Sequence, residues 1–196
     1  MMTTRPAVVN EFIHVARQHF ASQLLPVEAR KMAEAVFARL EVPSDDGQRL
    51  GTRYPACEWL DASLMTLSGD ARFSDIAKAL KSVEPLLGWR RRASGANGSQ
   101  DYVERHANGF VCGPGGAESR SDVQLGITIM LPNTRYPDHS HPPQEAYVLL
   151  SPGEFRQGDG EWIDPGPGGG IYNTPNLLHA MRSRTSPFLA LWCLLV

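Results

Sequence analysis

Apolar residues recur every three or four positions through the first half of the chain, which is the spacing of amphipathic helices. We expect these apolar stripes to face a hydrophobic core rather than a membrane or a partner. Pro26 marks the start of the second helix, and the turn-forming stretch 43–47 ends it. The pattern therefore predicts four helices: Val8–Ala21, Val27–Leu40, Cys57–Leu67 and Ser74–Val83.

The second half follows a different pattern, in which short runs of β-forming residues alternate with turns rich in Gly and Pro. Asp159-Gly160 is typical of a two-residue hairpin turn, and the small polar stretch Ala93–Gln100 predicts a mobile surface loop. Strands at this spacing favour an antiparallel sandwich or barrel. The predicted strands are Gly109–Cys112, Gln124–Met130, Ala146–Leu150, Glu161–Ile163, Gly170–Asn173 and Pro187–Leu195.

The change of pattern places a boundary near residue 85. We expect a helical cap over residues 1–85 and a β-barrel over residues 86–196, with the helices packed on the barrel, because no long flexible linker separates the two parts.

Composition narrows the class of protein. The chain has 196 residues, with 19 Lys and Arg against 21 Asp and Glu, so a nucleic-acid partner is not expected. No apolar run is long enough to span a membrane, and the first residues lack a signal-peptide core, so we expect a cytoplasmic protein without a membrane partner. The three cysteines, Cys57, Cys112 and Cys193, are widely separated and are expected to be small buried side chains.

The candidate chemistry lies in one string, DHSHPPQEAY, and one later histidine. His139 and His141 are two residues apart, as are Glu145 and Tyr147, so each pair can share one face of a strand. His179 from a neighbouring strand would complete a site of three imidazoles and one carboxylate. Such a donor set suits one divalent or trivalent transition metal, namely Fe, Zn, Mn, Ni or Co. His14, His19 and His106 have no such neighbours and are expected to be structural.

The HxHxxxE string with a downstream histidine resembles the two metal-binding motifs of the cupin barrels, although Asn133 stands at the leading glycine position. A closer resemblance, over about residues 85–196, is to the cupin-type dimethylsulfoniopropionate (DMSP) lyases. It is carried by four segments: Arg135–Tyr147, Ser151–Phe155, Gly158–Trp162 and Leu178–Arg182.

The resemblance implies a mainly β fold, in which a C-terminal cupin barrel (a double-stranded β-helix) carries an N-terminal helical segment. It implies that His141, Glu145 and His179 are metal ligands, with His139 as a further ligand. It also implies that Tyr147 is a catalytic base or labile ligand, and that Tyr136 is a second catalytic tyrosine in the pocket.

The implied reaction is a β-elimination that releases dimethyl sulfide and leaves acrylate, so the expected partner is a small molecule with a carboxylate and a sulfonium. Aromatic faces bind such cations, and the candidates in the barrel half are Tyr136, Trp162, Tyr172 and Trp192, with Phe188 beside them. The run Arg90–Arg92 is expected to be a solvated strand edge. The alternatives are an Fe dioxygenase, a small-acid or sugar isomerase, and a non-enzymatic small-molecule-binding cupin. The sequence leaves a homodimer open.

Overall fold

The helices precede the strands along the chain, as the sequence predicts. The computed structural model describes residues 5–44 and 52–196, so the predicted loop over 43–47 lies partly outside the described residues. A 3-10 turn at Pro55–Cys57 precedes the third helix, which therefore begins one residue later than predicted. The helices are α1 (Ala7–Phe20), α2 (Val27–Leu40), α3 (Glu58–Ser68) and α4 (Ser74–Val83).

Within residues 5–44 and 52–196, eight strands form two antiparallel sheets that enclose a cavity. The larger sheet has the order β1-β2-β3-β8-β4-β6, and the smaller sheet pairs β5 with β7. This confirms the predicted cupin barrel with helices at its N-terminal side. The strands are β1 (Gly88–Arg90), β2 (His106–Cys112), β3 (Val123–Met130), β4 (Gln144–Leu149), β5 (Glu154–Gln157), β6 (Gly170–Asn173), β7 (His179–Arg182) and β8 (Phe188–Leu195).

The predicted strand at Glu161–Ile163 is wrong, because only Ile163 pairs with a neighbour. Its backbone exchanges hydrogen bonds of 2.8 and 2.9 Å with Phe155 as an isolated bridge. The turn before it is also displaced: the Gly160 N–H donates to the Gln157 carbonyl at 3.0 Å, so Gly158 and Asp159 are the central residues. Gly158 takes φ +54, a conformation that glycine adopts without strain.

Successive residues along the strands of the larger sheet point alternately to the core shared with the helices and to the interior of the barrel. Ile127 and Ile129 of β3 belong to the core shared with the helices, whereas Thr128 between them lines the cavity. The same alternation separates Ala146 from Tyr147 on β4. A period of two along each strand therefore decides which side chains can take part in chemistry.

Helix α2 packs across β8, β4, β3 and β6 of the larger sheet. Helix α1 packs on α2, α4 packs on α1, and α3 packs on α4. Met32, Val36, Phe37 and Leu40 of α2 are buried in one continuous core with the outer face of the sheet. This agrees with helices packed on the barrel. The division of the chain into domains at residues 1–85 and 86–196 stays a prediction.

The stretch Ala93–Gln100 is largely exposed, as expected, and it is also tied to the strand-rich part. The backbone N–H of Asp138 donates to the Ala96 carbonyl at 2.9 Å, and the Asn97 amide donates to the Asp138 carboxylate at 2.8 Å. In the described part of the chain, none of the helices has the length and apolar character needed to span a membrane.

Candidate metal centre

Three histidines meet at one point of the barrel interior. One ligand atom from each of His139, His141 and His179 lies within 4.8 Å of the other two. His179 opens β7, and its backbone pairs with that of His139 through hydrogen bonds of 2.8 and 3.0 Å. This bridge brings together two stretches of chain that are far apart in sequence.

Each of these three imidazoles is held in the same way by its Nδ1 atom. Nδ1 of His139, His141 and His179 lies 2.9, 2.9 and 2.8 Å from the carbonyl oxygens of residues 137, 143 and 177, respectively. A neutral imidazole that donates from Nδ1 presents the lone pair of Nε2. The backbone thus fixes the tautomer and aims all three Nε2 atoms away from it, as in metal sites with an ordered outer shell.

Glu145 supplies the carboxylate of this cluster. Its Oε2 atom lies 3.1 Å from Nε2 of His141 and 3.2 Å from Nε2 of His179, and the Asn173 amide donates to the same oxygen at 3.3 Å. Burial alone would raise the pKa of Glu145, but the hydrogen bond with His141 and the close His179 ring hold its pKa far below the usual range. Glu145 is therefore a buried carboxylate ion.

The charge on the histidines is set by their surroundings. Burial and the proximity of His179 lower the pKa of His139 to about 3, so its ring is neutral at physiological pH. Burial also works against protonation of His141, but the contact with Glu145 outweighs it and raises the pKa of His141.

The donor set fits a transition metal. Nε2 of His179 is buried and has no partner with hydrogen-bond geometry among the described residues, although Glu145 lies close to it. A buried polar atom without a partner is costly unless something binds it. Three neutral imidazole nitrogens and one carboxylate oxygen would satisfy Fe, Zn, Mn, Ni or Co, and the donors alone do not select among these metals.

Local sequence explains how the ligand segment takes its shape. Asn133, at the leading glycine position of the cupin motif, adopts φ +56, a left-handed conformation in which Asn is enriched among non-glycine residues. Gly153 follows β4, and any side chain there would run into the ring of Phe188. On the outer side of the segment, the Asp138 carboxylate accepts hydrogen bonds of 2.9 Å from both Arg135 and Arg156.

The cluster opens into a cavity of about 160 Å³ inside the barrel. Its lining combines polar, aromatic and aliphatic side chains. The lining residues are Arg92, Asn108, Phe110, Gln124, Thr128, Tyr136, His139, His141, Glu145, Tyr147, Met181, Trp192 and Leu194.

Tyr147 lies on β4 two residues beyond Glu145 and points to the same interior. Its side chain is only 3% exposed and packs against Phe155, with ring centroids 5.1 Å apart. Burial and the Glu145 carboxylate raise the pKa of Tyr147 well above its usual value.

Tyr136 lies at the opposite wall, with its ring edge to face with His139 at a centroid distance of 5.0 Å. Its phenol oxygen accepts hydrogen bonds from Nε of Arg92 at 3.3 Å and from Nδ2 of Asn108 at 3.2 Å. Burial raises the pKa of Tyr136, and these two donors oppose part of that rise.

Of the predicted cation-binding aromatics, Trp192 and Tyr136 line the cavity, whereas Trp162 and Tyr172 do not. Tyr172 is paired with Ala146, so it faces the helices and donates its hydroxyl to Gln144 at 2.5 Å. Trp162 lies outside the barrel, with the guanidinium of Arg182 4.1 Å from the centre of its ring. We therefore correct the expectation that Trp162 and Tyr172 contact the substrate. Phe188, also considered, is buried in the barrel core away from the lining.

Arg92, Asn108 and Thr128 form a polar wall of the cavity, and Gln124 lines it further along β3. Sequence reasoning overlooked Asn108, Thr128 and Gln124, and it wrongly took Arg92 for part of a solvated strand edge. The signal was present, because Asn108 in β2 and Gln124 and Thr128 in β3 interrupt strands that are otherwise apolar. His106 is fully buried, with hydrogen bonds at both ring nitrogens, which agrees with the structural role expected for it.

Comparison with known proteins relates this architecture to one enzyme family. The sequence profile of the dimethylsulfoniopropionate lyase family matches residues 28–190. Dimethylsulfoniopropionate lyase DddQ of Ruegeria pomeroyi is 25% identical over 185 residues, which cover 90% of this chain and 87% of that protein.

Two solved structures share the fold over nearly the whole chain. The crystal structure of DMSP lyase DddQ from Ruegeria pomeroyi aligns with a TM-score of 0.75 and 23% identity, covering 98% of this chain and 93% of the other. A structure from the study of DMSP lyases RdDddP and RnDddQII aligns with a TM-score of 0.71 and 20% identity, covering 98% and 94%. On the match over residues 28–190, the chain belongs to the dimethylsulfoniopropionate lyase family and is a carbon–sulfur lyase, as the motif resemblance predicted.

Proposed function

We propose that this protein is a metal-dependent lyase that cleaves dimethylsulfoniopropionate to dimethyl sulfide and acrylate. The observation that carries the proposal is the cavity that His139, His141, Glu145 and Tyr147 line together, with His179 in contact with these ligands. Family membership suggests the class of substrate, and the side chains of the cavity suit the elimination of dimethyl sulfide from it.

The reaction is a β-elimination. A base removes a proton from the carbon next to the carboxylate, and the electron pair of that C–H bond forms the C=C bond. The C–S bond breaks, and its electron pair leaves with the sulfur as neutral dimethyl sulfide. The products are therefore dimethyl sulfide, acrylate and one proton, and the sulfonium leaves without help from an acid.

The metal would be held by Nε2 of His139, His141 and His179 and by the Glu145 carboxylate. A transition metal bound there would act as a Lewis acid toward the substrate carboxylate and would favour the phenolate form of a neighbouring tyrosine. The backbone carbonyls that hold the three Nδ1 atoms keep these ligands in place throughout the reaction.

Tyr147 is the proposed base. The chain alone makes it a weak one, because burial and the Glu145 carboxylate both raise the pKa of the phenol. Its position two residues after Glu145, on the same face of β4, places it beside the ligand cluster, and Trp192 is its direct neighbour on β8. Tyr136, on the other side of His139, is the second tyrosine that can contact the substrate.

The aromatic part of the wall suits the sulfonium. Phe110 and Trp192 meet edge to face with ring centroids 4.8 Å apart, and both line the cavity. An aromatic face attracts a desolvated cation by about 1–2 kcal/mol. We therefore place the sulfonium at this end and the carboxylate at the histidine end.

The direct test is headspace gas chromatography of the purified protein with dimethylsulfoniopropionate. We expect dimethyl sulfide from the metal-loaded protein, loss of the signal with a chelator, and its return when metal is added back. A metal-loaded, folded protein that releases no dimethyl sulfide would refute the proposed function and leave the other cupin chemistries open.

A further inference from the structure

The polar wall of the cavity contains a chain of hydrogen bonds that ends on Tyr136. The Thr128 hydroxyl donates to Oδ1 of Asn108 at 2.6 Å, and Nδ2 of Asn108 donates to the Tyr136 phenol oxygen at 3.2 Å. Asn108 and Thr128 are direct partners across β2 and β3, so the register of the sheet holds this contact. None of these side chains coordinates the proposed metal.

A second donor reaches the same phenol oxygen from the other side. Nε of Arg92 lies 3.3 Å from it, and the Arg92 backbone N–H donates to Nε2 of His106 at 2.9 Å. Nδ1 of His106 is in turn 2.5 Å from the Tyr102 carbonyl, which fixes the tautomer that accepts from Arg92. The fully buried His106 ring thus anchors the start of the segment that carries this guanidinium.

The two donors limit what the Tyr136 hydroxyl can do. A phenol oxygen has one proton to donate and two lone pairs to accept with. Arg92 and Asn108 occupy the acceptor positions, and neither of the atoms facing Tyr136 can accept its proton. The hydroxyl therefore has to donate elsewhere, and Tyr136 lines the cavity.

We infer that Asn108, oriented by Thr128, is a positioning residue that turns the Tyr136 hydroxyl proton into the cavity to donate to the carboxylate of the substrate. Thr128 sets which end of the Asn108 amide faces Tyr136, since a hydroxyl that donates to Oδ1 leaves Nδ2 on the other side. The inference extends the proposed function, because it assigns the carboxylate-recognising wall of the same site.

The test uses variants that change single atoms of this chain of hydrogen bonds. Thr128→Val removes the hydroxyl at nearly constant volume, Thr128→Ser keeps it, and Asn108→Leu removes the amide. Thr134→Val is the matched control, because Thr134 is as buried as Thr128 and its hydroxyl contacts Arg105 rather than the cavity. Thermal unfolding followed by circular dichroism checks that each variant folds.

Two readouts separate positioning from a merely structural role. In the metal-loaded protein, Thr128→Val and Asn108→Leu should raise KM for dimethylsulfoniopropionate about tenfold, the effect expected for loss of one hydrogen bond to a charged group, with a smaller change in kcat. Calorimetry with propionate, a carboxylate that cannot react, should show a similar loss of affinity. Thr128→Ser and Thr134→Val should behave like the unchanged protein in both assays.

The inference is overturned if Thr128→Val and Asn108→Leu fold and bind propionate as tightly as the unchanged protein. It is equally overturned if Thr128→Ser is as weak as Thr128→Val, or if the unchanged metal-loaded protein binds no propionate. Failure of the proposed function looks different: no dimethyl sulfide is released, while propionate binding still decides the role of Asn108.

Discussion

The two faces of the larger sheet are built from the same strands, yet they bury different chemistry. Toward the helices, Ala146 and Val148 of β4 and Leu191 of β8 join an apolar core. Toward the cavity, the alternate residues Glu145 and Tyr147 are just as buried but polar. Apolar burial stabilises the fold, whereas buried polar groups need partners to avoid a penalty. The outer face thus carries stability, and the inner face carries the chemistry.

The largest expected effect is on the inner face. Tyr147→Phe removes the proposed base without changing the shape of the side chain, so turnover should fall about 10²–10⁴-fold. Tyr172→Phe makes the same chemical change on the face toward the helices and should leave turnover unchanged. Headspace chromatography measures turnover, and elemental analysis should show equal metal content in both variants. Full activity of Tyr147→Phe would transfer the role of base to Tyr136 or to a water.

A substitution on the outer face of the sheet should lower the stability of the protein and leave its turnover unchanged. Leu191→Ala leaves a cavity in the core between α2 and the sheet, where Leu191 is fully buried. The free energy of unfolding should fall by about 2–5 kcal/mol. Urea denaturation measures this loss, and kcat per folded molecule should stay near that of the unchanged protein. A large fall in kcat with little loss of stability would contradict the division between the faces.

Acid should weaken the contact between Arg5, near the N-terminus, and Glu118 of the barrel, whereas apolar contacts do not titrate. Burial raises the pKa of Glu118, but hydrogen bonds from Arg5 and Arg120 outweigh it and hold the pKa below the usual 4.5. A carboxyl with a lowered pKa in the fold stabilises it above the unfolded pKa, and this contribution is lost as pH falls through the folded value.

Denaturation of the unchanged protein and of Glu118→Gln at pH 7 and at stepped values below 4.5 measures this contribution. Glu118→Gln should be less stable than the unchanged protein at neutral pH and should show a shallower loss of stability in acid. Identical acid profiles for the two proteins would show that the contacts of Glu118 with Arg5 and Arg120 do not contribute.

The smallest effect on KM is expected at Trp162, which the sequence suggested as a substrate contact but which lies outside the cavity. Trp162→Ala should leave KM for dimethylsulfoniopropionate within about twofold, because Trp162 packs against guanidinium groups outside the cavity. Trp192→Ala should raise KM, since Trp192 lines the cavity. Steady-state kinetics of the two variants side by side checks the contrast, and equal KM values would contradict the placement of the sulfonium.

Features that depend on residues close together in the sequence could be predicted without the structure. The apolar spacing and Pro26 located α2 at Val27–Leu40, and the spacing also located α4 at Ser74–Val83. The motif placed His139, His141 and Glu145 together, and His179 was added from far along the chain. Strands of three or four residues show little periodicity, so β6 was located but β1, β5 and β7 were missed.

Features that depend on strand register could not be predicted from the sequence. Tyr172 and Trp162 have the right chemistry for a cation, but the face of Tyr172 is decided by its pairing with Ala146. The wall of Asn108 and Thr128 likewise requires knowing that these residues stand opposite each other on β2 and β3. Residue type suggests what a side chain can do, and the register decides where it can do it.

The proposed chemistry requires that the inner face of the barrel hold one metal ion with three imidazoles and one carboxylate. Anomalous diffraction from crystals of the zinc-loaded protein tests it most directly. We expect a single peak about 2.0–2.1 Å from Nε2 of His139, His141 and His179, with Glu145 in contact. An active protein whose crystals show no metal at these atoms, or show these four side chains facing apart, would contradict it.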